Sequence, residues 1–256
     1  MSEASLRVYL AGTIRVERGS ILLDEADLPG RQGRVAFAML AAERDRAIST
    51  DELSEQLWSG EPPGAWEVAL RAIVSKLRGA LGGPGLDGHG WIEHAFGCYQ
   101  LRLPSDAWVD LEVAADAVHR AEAALRGGDP DDAMGWSLAA NAIARRGFLP
   151  GEDGPWAAGR RAELQAIRVR ALECRAQVNL DRGEHEAAAR DAELVVSLEP
   201  FRETAHRLVM RAHAAAGNPA EALRVYERCR AMIAQELGAG PSAETEHLYL
   251  EILRSA

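Results

Sequence analysis

The chain has 256 residues, 47% of them apolar and 5% aromatic, with a formal net charge of −10. That length suits two domains, the Ala- and Leu-rich composition favours helices, and the acidic balance excludes indiscriminate nucleic-acid binding, which rests on neutralising phosphates with Lys and Arg. No apolar stretch is long enough to span a bilayer, and the opening MSEASLRVYL lacks the charged-then-apolar pattern of a secretory leader, so a cytoplasmic protein with no membrane partner is expected.

In chain order, residues 6–10 and 14–16 flank Ala11-Gly12 and predict a hairpin, with a further strand near 20–23. A turn at Leu28-Pro29-Gly30 precedes a helix over 33–43, whose Val35, Phe37, Ala38 and Leu40 seek a core. Ser49, with Glu52 three residues on, predicts a capping box opening the next helix, which has Leu53 and Leu57 as its apolar face. The turn GEPPG, residues 60–64, ends that helix.

Residues 66–81, WEVALRAIVSKLRGAL, form the most informative segment. Trp66, Leu70, Ile73, Val74, Leu77 and Leu81 recur at three- and four-residue spacing, which marks one buried helix face. The opposite stripe carries Arg71, Ser75 and Arg78, with Ala72 and Lys76 beside it. Such a helix docks on a core by its apolar back while its cationic, hydroxylated front enters a major groove; a plain solvated face is the alternative. After a loop over 82–90, residues 91–93 and 99–103 predict two short strands joined through 94–98. Strands, three helices and a hairpin follow the order of a winged helix-turn-helix, which favours DNA contact.

Beyond Pro104 the pattern is helical: 110–127, 131–146, 156–183, 184–198, 202–217, 219–237 and 242–253, with a loop-like interruption over 145–154. Aligning Gly183 with Gly217 gives a period of 34 that sets Ala188 on Ala222, Ala192 on Tyr226 and Val195 on Cys229. A looser copy starts near Gly128, with Ala133 and Ala140 at matching offsets. This is the tetratricopeptide (TPR) pattern, in which small residues let two helices cross closely. The expected fold is therefore an α+β winged helix-turn-helix domain over 1–104, followed by an all-α, TPR-like helical repeat domain over 105–256. Residues 1–104 hold 11 Lys and Arg against 14 Asp and Glu, and the remainder 18 against 25. Neither half is basic, so DNA contact must come from a local patch strengthened by pairing of protomers or by a partner.

Catalytic patterns are scarce. Cys98, Cys174 and Cys229 lie far apart without ligand spacing and read as reduced thiols, two of them packed in helices. His185 follows Glu184 but has no HExxH partner, and Glu152 and Asp153 read as solvated loop charges. No Walker loop, GxSxG or GxGxxG occurs, so no catalytic residue, metal or cofactor is expected and the chain is read as not an enzyme.

Several segments carry a resemblance to a known family: GRQGRVAFAMLA (30–41), ISTDELSEQLWSGEPP (48–63), VALRAIVSKLRGALG (68–82), RRGFLPGEDGPWAAGRRAEL (145–164), LEPFRETAHRLVMRAHAAAGNPAEALRVYERCR (198–230) and ELGAGPSAET (236–245). On these the chain resembles the SARP-type (antibiotic regulatory protein) transcriptional regulators, which join a winged helix to a bacterial transcriptional activator domain (BTAD) of TPR-like helices. PFRE, AEALRVYE and ELGAGPS are specific to that activator domain. Two departures lower the expected phosphate affinity. The family's wing reads GGYRL where this chain has Gly97-Cys98-Tyr99-Gln100-Leu101, with Arg102 beyond, and Gly79-Ala80 stand where relatives carry more Arg.

The resemblance implies a sequence-specific DNA-binding regulator, an activator, with double-stranded DNA and RNA polymerase as partners. It acts as a homodimer on direct repeats, and a small-molecule effector of unknown identity stays open. Candidate DNA contacts are Arg71, Ser75, Lys76 and Arg78 on the 66–81 helix, with a backbone phosphate or an internal ion pair as equal alternatives to a base for Arg78. Arg31 and Arg34 open the first helix and Thr50 the second, where free N–H groups attract phosphate, although capping explains residues 49–51 equally well. His94 and Tyr99 complete the set from the wing, with core packing as the rival role for Tyr99. In the resembling family the loop after the second helix faces RNA polymerase, which makes Ser59, Gly60 and Glu61 candidate contacts, beside Trp58 as a plug of the small core. The competing reading is a protein-interaction or ligand-sensing adaptor with weak or lost DNA binding.

Overall fold

The computed structural model describes residues 5–255; residues 1–4, part of the stretch read for a leader, and residue 256 lie outside it. By compactness the described residues form two units, 5–113 with 146–164, and 114–145 with 165–255. Among the described residues no helix is long and apolar enough to cross a membrane.

In the first unit, β1 (Leu6–Tyr9), β2 (Arg15–Arg18) and β3 (Ile21–Asp24) form an antiparallel meander that sets Val8 opposite Val16 and Val16 opposite Leu23, all buried. A two-residue strand, Trp108–Val109, adds parallel to β1 at the edge of this sheet. Two residues carry no alternation, so this strand is absent from the sequence-level expectation. The residue after it, Asp110, is fully buried, and its two carboxylate oxygens accept the N–H groups of Leu10 and Ala11 at 2.8 and 2.9 Å.

Three helices, α1 (Gly30–Ala42), α2 (Thr50–Trp58) and α3 (Trp66–Leu81), pack on one another through Phe37, Leu40, Leu53, Leu57, Leu70 and Leu77. Ser49 caps α2, its Oγ accepting from the Glu52 N–H at 3.1 Å. Only this arm of the predicted capping box forms, because Arg46 takes the Glu52 carboxylate at 3.0 and 2.6 Å. A second sheet runs β4 (Ile48–Ser49), β6 (Cys98–Leu101), β5 (Ile92–Ala95). The β5–β6 hairpin turns over Phe96-Gly97 alone, because Ala95 pairs with Cys98, rather than through the five residues 94–98.

The stretch read as a loop-like interruption is built into this unit. Phe148 and Leu149 are buried, Ala11 bridges Phe148, and the Gly12 N–H donates to the Gly147 carbonyl at 2.9 Å. Glu152 is buried rather than solvated: it pairs with Arg31 and Arg34, each at 2.6 Å, as a desolvated carboxylate requires. Asp153 is exposed, as expected.

Glu43, at the end of α1, is a second hub, accepting from Trp156 Nε1 at 2.9 Å, Arg46 at 2.8 Å and Arg160. Burial pushes its carboxyl up, but the bonds from Trp156, Arg160 and Arg46 outweigh burial and hold it at about 2. A carboxyl depressed from 4.5 stabilises the fold above pH 4.5, and that contribution is lost as pH falls towards 2. Glu43→Gln is therefore expected to remove about 2 kcal/mol at neutral pH and to flatten the loss of stability between pH 5 and 2. Thermal denaturation against pH reads this, and an unchanged acid limb contradicts it.

The second unit is helical. It contains α5 (Pro130–Ala144), α7 (His185–Leu198), α8 (Glu203–Ala215), α9 (Pro219–Leu237) and α10 (Ala243–Ser255), with most of α4 (Asp110–Gly127) and α6 (Pro155–Asp181). The glycines that align the repeat share one backbone geometry, although only Gly183 and Gly217 stand 34 residues apart and the looser copy at Gly128 lies 55 before Gly183. Gly128, Gly183 and Gly217 take φ of +75°, +76° and +78°. The N–H after each glycine returns to the carbonyl five residues back, at 2.9, 2.8 and 2.9 Å, so three helices end in the same left-handed turn. The aligned positions Ala188 and Ala222, Ala192 and Tyr226, and Val195 and Cys229 are all buried, as are Ala133 and Ala140. The larger Tyr226 stacks on Tyr249 with ring centroids 4.1 Å apart. Cys174 and Cys229 are free thiols inside helices, and burial pushes both up to about 11.

Candidate nucleic-acid interface

Helix α3 turns its apolar stripe inward: Leu70, Ile73, Val74, Leu77 and Leu81 are buried and Trp66 is half-buried. The residues left outside, Val68, Arg71, Ala72, Ser75, Lys76 and Gly79, are exposed and follow one another at three- and four-residue steps. Lys76 is the only lysine among the chain's 29 basic residues. No ion pair forms to Lys76 among the described residues. Arg71 bends back along its own helix, Nε donating to the Glu67 carbonyl at 3.2 Å and a terminal nitrogen lying 3.5 Å from the Glu67 carboxylate. Both side chains are about two-thirds exposed, at 66% and 68%, so the pair holds Arg71 weakly, by about 0.5 kcal/mol at most.

Arg78 stands apart. Its Nε and terminal nitrogen donate to the Ile92 carbonyl at 3.0 and 2.7 Å, which fastens α3 to the hairpin. Beside the exposed stripe, Thr50, Arg71, His94 and Tyr99 line one cleft of about 240 Å³. The Thr50 N–H is already committed, donating to the Gly97 carbonyl at 2.9 Å, so only its hydroxyl is left for a ligand. Tyr99 is buried, with its ring 4.5 Å from that of the exposed His94, and opposite Ile48 of β4 it packs as core.

Arg31 and Arg34 are not among these residues. Glu25 and Glu152 hold Arg34 between them at 2.6 Å each, while Arg31 pairs with Glu152 and keeps half its side chain exposed. Arg31 lines a different cleft, of about 500 Å³, together with Ser59 and Gly60. Ser59 ends α2 in the left-handed region at φ +53°, Gly60 follows at +86°, and Glu61 beyond them is exposed.

Two exposed residues escaped the sequence reading. Phe96 stands fully exposed at the hairpin tip with φ +51°, beside Gly97 at +72°. Positive φ at both positions is the type I′ pattern, and Phe-Gly lacks the Asn-Gly or Asp-Gly signature that marks such turns. Val68 is 63% exposed on the same stripe as Arg71 and Ser75. The helical period places it there, but a lone apolar residue carries no charge signal in the sequence. With Ala72 it supplies methyl groups of the kind that meet the thymine methyl in a major groove.

Residues 109–253 match the bacterial transcriptional activator domain family. Regulatory protein AfsR of Streptomyces coelicolor is 31% identical over 251 residues, covering 98% of this chain and 24% of that protein. Regulatory protein DnrI of Streptomyces peucetius is 25% identical over 235 residues, covering 88% of this chain and 85% of DnrI. A solved structure of Mycobacterium tuberculosis EmbR in complex with a low-affinity phosphopeptide superposes with a TM-score of 0.86 at 25% identity, over 99% of this chain and 66% of that one. The chain thus spans about a quarter of the length of AfsR. Matched over more than half its length, the chain belongs to the bacterial transcriptional activator domain family, among the SARP-type regulators.

Proposed function

We propose that the chain is a cytoplasmic, sequence-specific DNA-binding transcriptional activator. In this reading residues 1–104 are a winged helix-turn-helix, with α3 as recognition helix and the β5–β6 hairpin as wing. Residues 105–256 are the TPR-like activator module, although 146–164 pack within the first compact unit. The observation that carries the reading is the stripe Val68-Arg71-Ala72-Ser75-Lys76, solvent-facing on a helix whose other face is core. Arg71 forks onto guanine, Ser75 bonds a base edge or phosphate, Lys76 neutralises phosphate, and Val68 with Ala72 covers thymine methyls. The relatives support it: AfsR, EmbR and DnrI are named as regulatory proteins.

Affinity on a chain of net charge −10 comes from pairing. Two protomers on direct repeats make the second contact effectively intramolecular, so a module with few cations holds its site. The exposed Ser59-Gly60-Glu61 turn then offers RNA polymerase a rigid surface.

Selection of duplexes from a random pool by the full chain at low salt tests the reading. One enriched sequence is expected, with log affinity falling linearly in log salt and a loss when its thymines are replaced by uracil. A pool that never enriches contradicts it and leaves the adaptor reading in its place.

A further inference from the structure

The second unit carries a cationic trough that the DNA reading does not use. Three helices each give it one face: Glu122, Leu125 and Arg126 of α4, Arg170, Glu173 and Cys174 of α6, and Thr204, Arg207, Leu208 and Arg211 of α8. The spacings are the three- and four-residue steps of a single helical stripe, so the trough is a continuous surface of about 430 Å³. Leu208 and Cys174 are buried in its floor.

Its charges do not balance. The Glu122 carboxylate is taken on both oxygens by Arg170, at 2.6 and 2.7 Å. The Glu173 carboxylate is taken likewise by Arg202, at 2.7 and 2.9 Å, and also accepts from the Thr204 hydroxyl at 2.6 Å. Arg126, Arg207 and Arg211 are left with no ion pair among the described residues, Arg207 reaching only the hydroxyl of Thr245 at 3.0 Å and that of Ser242 at 3.4 Å. Arg207 and Arg211 are one helical turn apart, where like charges repel. Residues 105–256 have 25 Asp and Glu against 18 Lys and Arg, yet the trough sets four arginines, Arg126, Arg170, Arg207 and Arg211, against two carboxylates, both already taken, by Arg170 and Arg202. A second cleft shares Arg207 and Arg211 but adds the carboxylates of Glu244 and Glu251 beside His247 and Leu248, so the uncompensated charge is confined to the trough.

We propose that this trough binds a short acidic peptide segment carrying an apolar side chain, whose carboxylates meet Arg126, Arg207 and Arg211 while the apolar group rests on Leu125 and Leu208. Charge complementarity selects the carboxylates, and the guanidinium fork suits them. The apolar floor and the two carboxylates already in the lining disfavour a continuous phosphate backbone.

The test uses the full chain and three fluorescent octapeptides of the same leucine spacing: one with Asp and Glu between the leucines, one with Asn and Gln, one with Lys. Saturable binding of the acidic peptide is expected, at least ten times tighter than either other probe, weakened tenfold or more in Arg207→Gln/Arg211→Gln and by salt. Arg211→Gln alone, at an exposed position, gives a weaker loss and keeps the test valid should the double variant misfold. Equal binding of the acidic and amide peptides, or undiminished binding to both variants, overturns the proposal. So does a mixed-sequence duplex that displaces the peptide and loses its own binding in the variants, since the trough is then a nucleic-acid surface.

Discussion

Replacing Arg71 and Lys76 together by alanine is expected to weaken binding of the selected duplex about a hundredfold while the thermal midpoint stays where it was. One bidentate base contact and one phosphate contact together are worth about 3 kcal/mol, which is the source of that factor. Both side chains are exposed, and among the described residues their only bonds run from Arg71 to Glu67 within its own helix, so the fold does not depend on them. The two residues separate by readout. Lys76→Ala lowers affinity similarly for all sequences and reduces the salt slope by about 1, whereas Arg71→Ala relaxes discrimination at one guanine. Arg78→Ala behaves differently again: it frees the Ile92 carbonyl and loosens the hairpin, so its effect on binding comes with a loss of stability.

The largest effect on stability is expected at Asp110. Its carboxylate is fully buried and satisfies two main-chain N–H groups, those of Leu10 and Ala11, a hundred residues earlier. Burial pushes this carboxyl up, while those N–H groups and the nearby Arg146 charge pull it down. Asp110→Ala leaves two buried donors without acceptors, at about 1–3 kcal/mol each, so a loss of about 3 kcal/mol or more is expected in chemical denaturation. Asp110→Asn, which keeps one acceptor, loses less. Equal stability of the alanine variant and the parent chain contradicts the role given to this residue.

What was legible in the sequence was local. The bounds of α3, α4 and α9 follow from three- and four-residue periodicity, and the repeat from three glycines whose backbone no other residue adopts cheaply. Most of the misses share a cause, dependence on partners remote in sequence, while Val68 and Phe96 are local ones. The two-residue strands β4 and Trp108–Val109 exist only because other strands are there to receive them. Glu152 looked like a solvated loop carboxylate because Arg34 is 118 residues away. For the same reason Arg31 and Arg34 read as free cations at a helix start, while for Arg78 the internal role left open beside DNA contact is the one its bonds to the Ile92 carbonyl favour. Phe96 was hidden in a hairpin turn shorter than its sequence suggests.

The chain's single lysine permits a direct test of the central claim, that the exposed face of α3 lies in a major groove. Lys76 is to be acylated with a dilute amine-reactive ester, free and in saturated complex with the selected duplex, and the tryptic fragments weighed. Protection of Lys76 by the duplex, relieved by raising salt until the complex dissociates, is the predicted result. A saturated complex in which Lys76 reacts as fast as in the free protein would put the DNA somewhere else on the molecule.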